Sequence, residues 1–240
     1  RARHAKRPAA KPHQDVSRPP GAAHPVMNLD QVQEQCRSSL AETMSGDPAH
    51  DISHIERVVQ NTLRLTETEG GNLAVTLPAA WLHDCVTVAK DSPLRKQASR
   101  LAADEAVRFL QSIDYAADLL PQIHHAIAAH SFSARIPTQT LEARIVQDAD
   151  RLEAIGAIGI ARCFLTGGSM GTPLYEPNDP FAHDRKLDDK SFTVDHFYCK
   201  LMGLVDTMQT NAGRAEAIRR TDYMREFLQR LGEEIGASAR

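Results

Sequence analysis

Three features of the chain predict an all-α fold. From Asn28 onward, apolar residues recur three and four positions apart, the period of a helix buried on one side. Helix-starting and helix-stopping residues punctuate that pattern at helix-length intervals. No convincing alternation of apolar and polar residues marks a strand anywhere in the sequence.

Residues 1–26 stand apart. They are rich in Pro and Ala, hold six Lys/Arg against one Asp, and show no apolar periodicity. They lack the apolar stretch of a secretory signal, and their scattered prolines would spoil the amphipathic helix of a transit peptide. We read them as a disordered basic, Pro-rich extension, upstream of a translational start at Met27; a basic arm with a binding role is the alternative. Residues 27–240 are then expected to form one domain.

Within that domain, Asn28 can cap a helix to about Met44, after which SGDPAH breaks the chain. A second helix is expected from about Asp51 to Thr68, with Ile52, Ile55, Val58, Val59 and Leu63 at helical spacing, stopping at Gly70-Gly71. LPAAWLHDC reads as a short buried helix with Pro78 near its start. Ser92-Pro93 opens a helix to about Ser112, and another runs from Asp114 to about His130. Thr140 can cap one long apolar helix through Leu165. TGGSMGTPLYEPNDPF is expected as a loop, and SFTVDHFYCKLMGLVDTM and GRAEAIRRTDYMREFLQRLGEEI as two closing helices. We expect the TGGSMG loop and PNDPFAHDR to form a mobile flap or an oligomer contact; TGGSMG is not a phosphate loop, since no GK[ST] follows.

Composition narrows the function classes. The 240 residues are 42% hydrophobic and 25% charged, enough for a sizeable core. No apolar run is long enough to cross a bilayer. Beyond residue 26 the 22 basic and 30 acidic residues leave a net charge of −8, which argues against a nucleic-acid-binding face. Cys36, Cys85, Cys163 and Cys199 are far apart with no CxxC, which suits a reducing cytoplasm.

The chemistry-bearing residues lie in otherwise apolar helices. His83 and Asp84 end the run AAWLHDC. An isolated buried carboxylate is strongly disfavoured, so either the pair meets solvent or a cation holds it. His54 shares a helix face with Val58 and points toward the core side. His50 precedes it by four residues but falls at or before the helix start, so the pair is set aside. Asp148 and Asp150 project from a helix that is apolar nearly all round. Each needs a partner or a metal, and Arg151 could neutralise one of them. Helical geometry does not choose between the two aspartates. His125 and His130, five positions apart, point about 140° away from each other on a helix; His124 is read as exposed.

The ordered segments HIERV, LHD and DADRLEAIG resemble the HD superfamily of metal-dependent phosphohydrolases, from about Asp47 to the C-terminal helix. HSFS, DADRLEA-GAIG-AR, DPF and LDDK are similar to small bacterial hydrolases of the YedJ-like group. The resemblance implies a helical bundle with a central metal site whose ligands are His54, His83, Asp84 and Asp150, with Asp148 supporting from behind. Two imidazoles and two carboxylates suit one divalent Mn, Mg, Co or Fe ion better than structural zinc. A second ion is possible if His125 or His130 contributes.

The implied reaction is hydrolysis of a nucleotide or another small phosphorylated metabolite, by pyrophosphohydrolysis or phosphomonoester cleavage. Asp84 is then catalytic as well as a ligand, and His130 is placed to protonate a leaving oxygen. Lys90, His125 and Lys200 are the expected substrate contacts, with Arg95 a weaker candidate. A cyclic-nucleotide phosphodiesterase, a non-catalytic signalling module and a di-iron oxygenase are the rivals. No membrane or nucleic-acid partner is expected, and a homo-oligomer is possible.

Overall fold

The computed structural model describes residues 28–43, 52–88 and 92–240. Among them are nine α-helices and no strand: α1 Leu29–Thr43, α2 Ile52–Glu69, α3 Leu73–Leu82, α4 Ala98–Ser112, α5 Leu120–His130, α6 Leu141–Leu152, α7 Gly156–Ser169, α8 Thr193–His196 and α9 Asn211–Ile235. The all-α expectation holds. Residues 1–27, His50 and Lys90 lie outside the described residues. No described helix is long and apolar enough to cross a membrane.

The bundle is organised around α2, α3, α5 and α6. Helix α2 packs on α3 and α6, α5 lies against α3, α4 and α6, and α9 closes over α6 and α7. Ile55 and Val58 of α2, Leu82 of α3, Ile127 of α5 and Ile145 of α6 are fully or almost fully buried. Each such side chain contributes about 1.5–3 kcal/mol by leaving water, which fixes the four helices relative to one another.

Pro78 sits in the middle of α3 rather than near its start, because Asn72 caps the helix six residues earlier and accepts from the Ala74 N–H at 3.0 Å. A mid-helix proline frees the carbonyl four residues before it. That carbonyl, Ala74 O, accepts the Tyr115 hydroxyl at 2.5 Å. A side chain from beyond α4 thus satisfies the group the proline leaves unpaired.

The helix expected to run from Leu141 to Leu165 is two helices. Thr140 caps the first as expected, accepting from the Ala143 N–H at 3.1 Å. The chain then turns at Glu153–Ile155, and Gly156 takes φ +75°, a conformation disfavoured for any residue with a Cβ. A Cβ at Gly156 would also meet the Arg220 side chain at 3.0 Å. Helix α7 continues to Ser169, so Gly167 and Gly168, expected in a loop, are helical, while Gly171 lies beyond it with φ +69°.

Three other boundaries differ. After Ser92-Pro93 a short 3₁₀ turn, Arg95–Gln97, precedes α4. Asp114 is a left-handed turn residue (φ 57°), and α5 starts only at Leu120. The segment 193–207 is a four-residue α8, a π-turn at Phe197–Leu201 and a 3₁₀ turn at Met202–Thr207.

The segment read as a mobile flap is pinned. Phe181 and Ala182 are fully buried, and Asp179 accepts from the backbone N–H groups of His183, Asp184 and Arg185. Arg185 makes a two-pronged ion pair with the buried Asp195 at 2.6 and 2.8 Å. An apolar anchor and a charged clamp hold this loop against the bundle.

Candidate metal centre

His54 comes from the first turn of α2, His83 caps the C-terminus of α3, Asp84 follows it, His130 ends α5 and Asp150 lies in the last turn of α6. Three helices therefore direct their C-terminal ends toward this point. A helix C-terminus carries partial negative charge and favours a cation. The N-terminus of α2, beside His54, carries the opposite partial charge, so three negative ends face one positive end.

The side chains converge. His54 Nε2 is 3.6 Å from Asp150 Oδ1, His83 Nε2 is 3.8 Å from the same oxygen and 3.7 Å from Asp84 Oδ2, and His130 Nε2 is 3.6 Å from Asp84 Oδ1. These gaps are too long for hydrogen bonds. Two donors each about 2.0–2.2 Å from one shared ion lie about 3–4 Å apart, so the spacing fits a cation between them. His54, His83 and Asp150 form one group able to hold a metal; His83, Asp84 and His130 form another, overlapping at His83.

The histidines are oriented for this task. His83 Nδ1 lies 2.8 Å from Ala80 O, and His130 Nδ1 lies 2.6 Å from Ile127 O. A backbone carbonyl there takes the Nδ1 proton and turns Nε2 toward the centre, as a lone pair where the ring is neutral. His83 is fully buried, and its Nε2 has no hydrogen-bond partner among the described residues. An orphaned acceptor at the bottom of a carboxylate cluster is costly unless something positive meets it.

Burial pushes the His83 pKa down, against the pull of Asp84, so its neutral ligand form is favoured. At His130 burial also opposes protonation, but the nearby carboxylates, Asp84 first and Asp150 after it, outweigh it and the pKa is raised.

Behind His54 stands Glu153, 2% exposed, with Oε2 3.7 Å from His54 Nδ1. Arg57 Nε donates to the same oxygen at 2.6 Å, Asn61 Nδ2 donates to Oε1 at 3.3 Å, and Arg220 Nη1 lies 4.0 Å away. Burial disfavours the ionised carboxylate, yet His54 and Arg57 together hold its pKa below the usual range. The sequence reading missed this network. Its signal was the one applied to the aspartates, an acidic residue in an apolar stretch, with Arg57 one helical turn beyond His54.

Asp148, fully buried, faces elsewhere. It accepts from the Gln209 N–H (2.9 Å), the Thr210 N–H (2.8 Å) and the Thr210 hydroxyl (2.8 Å), tying the start of α9 to α6. Asp148 therefore bonds the α9 cap and does not stand behind the histidines as expected.

Two expected substrate contacts stand apart from the cluster. His125 Nε2 accepts from the Gln139 N–H at 3.0 Å, so the residue tethers the loop after α5. That follows from the divergence of His125 and His130 on one helix. Lys200 is exposed on the π-turn and lines a 510 Å³ cleft with Arg162, Lys190 and His196, whose walls hold none of the converging residues. Arg95, the weaker candidate, is instead at hand. It lines a small cavity with Asp84, Ser99 and His130, beside the first residues of α4.

Comparison with known proteins agrees with this geometry. The HD domain family matches residues 51–155. The Bacillus subtilis protein YpgQ, itself uncharacterised, is 32% identical over 215 residues, covering 88% of this chain and 95% of that protein. Its crystal structure in complex with ADP superposes with a TM-score of 0.63 at 29% identity, covering 86% of this chain and 94% of the other. An HD-superfamily hydrolase from Bacillus thuringiensis gives a TM-score of 0.67 at 32% identity, covering 88% and 97%. With near full-length similarity in sequence and fold, and the His and Asp side chains gathered as described, the chain belongs to the HD superfamily of hydrolases.

Proposed function

We propose that the protein is a divalent-metal-dependent phosphohydrolase acting on a nucleotide or a similar small phosphorylated metabolite. The convergence of His54 from the first turn of α2, His83 and Asp84 from the end of α3, and Asp150 from the last turn of α6 carries this reading. These four hold the ion, and the mixed nitrogen and oxygen set suits Mn²⁺, Mg²⁺, Co²⁺ or Fe²⁺. The ion supplies Lewis acidity toward a phosphoryl oxygen and an activated water.

The chain's own residues do the rest. Ala80 O and Ile127 O keep the His83 and His130 rings in register. His130, with Nε2 3.6 Å from Asp84 Oδ1, is placed to hold a proton for the departing oxygen. Arg95 and the N-terminus of α4 line the cavity beside Asp84 and offer positive charge to a phosphate. Lys90, near in sequence to Asp84, is assigned to the same task. The ADP complex of YpgQ supports a nucleotide as substrate class.

The test is a release assay across nucleotides and sugar phosphates with several divalent ions. Pyrophosphate from nucleoside triphosphates identifies a pyrophosphohydrolase, and inorganic phosphate from monophosphates a phosphomonoesterase. No turnover with metal fully bound would favour a binding module instead. The overlap of two ligand groups at His83 also supports a two-ion version; a stoichiometry of two metals per chain would select it.

A further inference from the structure

Glu153 belongs to a second feature. On α2, the α6–α7 corner and α9, a cleft of 490 Å³ opens beside it. That volume falls in the range of small-molecule sites, about 300–1,000 Å³. Four guanidinium groups line it, from Arg57, Arg64, Arg219 and Arg220. The carboxylates bonded to them are Glu153, which takes Arg57, and Glu216, which takes Arg219 and Arg220. Four positive charges thus meet two negative ones.

Arg64 is exposed and donates to Asn61 Oδ1 at 2.6 Å. A guanidinium has five N–H donors in a planar fork suited to phosphate. Beside the polar Gln60 and Asn61, the wall has an apolar part made by Ile155, Ile158 and the half-exposed ring of Tyr223. One cleft therefore offers a cationic side and a flat apolar side.

We propose that this cleft is a second nucleotide site, binding a nucleoside di- or triphosphate without a metal ion. Arg64 and Arg219 grip the phosphates, and the base lies against Tyr223. This goes beyond the hydrolytic reading, since the ligand here is an effector and not the substrate. Arg57 and Arg220 are shared between the cleft and Glu153, and Glu153 faces His54. Occupancy of the cleft therefore has a direct route to the metal centre.

The experiment is equilibrium binding to the full chain in excess EDTA, with ATP, inorganic tripolyphosphate and adenosine as probes. ATP is expected to bind saturably, near one equivalent, and equally well to Asp84→Ala. The Arg64→Ala/Arg219→Ala double variant is expected to weaken ATP and tripolyphosphate at least tenfold. Its metal-dependent turnover at low nucleotide should stay unchanged, and its melting curve guards against misfolding. Tyr223→Ala should weaken ATP alone. Absence of saturable binding in EDTA, or binding indifferent to the double variant, overturns the site. Equal loss of ATP and tripolyphosphate in Tyr223→Ala, or no loss of either, overturns the nucleotide assignment. Metal-free binding leaves the hydrolytic reading untouched, so the two can fail separately.

Discussion

His83 Nε2 lies 3.8 Å from Asp150 Oδ1, joining the end of α3 to the end of α6 across the centre of the bundle. Neither group has an adequate partner in the other: the gap is too long for a hydrogen bond, and His83 is fully buried. A cation between them resolves both costs. Two predictions test that centre, and two more test the packing around it.

Asp84→Ala removes an oxygen facing His83 and another facing His130. Metal affinity is expected to fall at least about 100-fold, with phosphohydrolase activity lost at ordinary metal concentrations. Equilibrium dialysis against Mn²⁺, together with a turnover assay, reads both. Wild-type turnover at unchanged metal content would count against the assignment.

Asp148→Ala separates the two aspartates. It leaves the Thr210 hydroxyl and two backbone N–H groups without their acceptor at the start of α9. Stability should fall by about 2–4 kcal/mol, seen as a lower denaturation midpoint. Metal affinity of the folded variant should remain within a factor of a few of wild type. Asp150→Ala is expected to do the reverse.

Tyr115→Phe tests the repair of the Pro78 break. The Ala74 carbonyl loses its hydroxyl donor, at a cost of about 1–2 kcal/mol. The same substitution in a Pro78→Ala background should cost less, because the helix then supplies its own N–H. Equal costs in both backgrounds would show that the hydroxyl does not serve the proline.

Acid sensitivity follows from Glu216. Hydrogen bonds from Arg219 and Arg220 hold its pKa down, from 4.5 to about 2. A carboxylate lowered on folding stabilises the native state fully above the unfolded value. That contribution is lost as pH falls from about 4.5 toward 2. Denaturation of Glu216→Gln should show a shallower acid limb over that window and little change in shape above it.

The fold class and most helix positions were legible because burial imposes the 3.6-residue period directly on the sequence. The errors lie where a local break depends on distant contacts. The local sign of the corner at Glu153–Ile155 in LEARIVQDADRLEAIGAIG is Gly156, which is weak by itself in so apolar a run, and the corner is held from a distance by Arg220 of α9, which bonds Leu152 O at 2.7 Å. Pro78 misleads for the same reason, since its partner is Tyr115. At the site, His54, His83, Asp84 and Asp150 were nameable as a set through a resemblance, not through spacing. The divergence of His125 and His130 was readable from helix geometry alone, and His130 is the one that joins the cluster. The Arg57–Glu153–Arg220 network escaped because a sequence does not tell which of many arginines meets a buried carboxylate.

The most direct measurement is anomalous diffraction from crystals of the full chain loaded with Mn²⁺. The account predicts a manganese peak about 2.0–2.4 Å from His54 Nε2, His83 Nε2 and carboxylate oxygens of both Asp84 and Asp150. A well-ordered structure at saturating Mn²⁺ with no peak among those four, or with the ion held elsewhere, would contradict it.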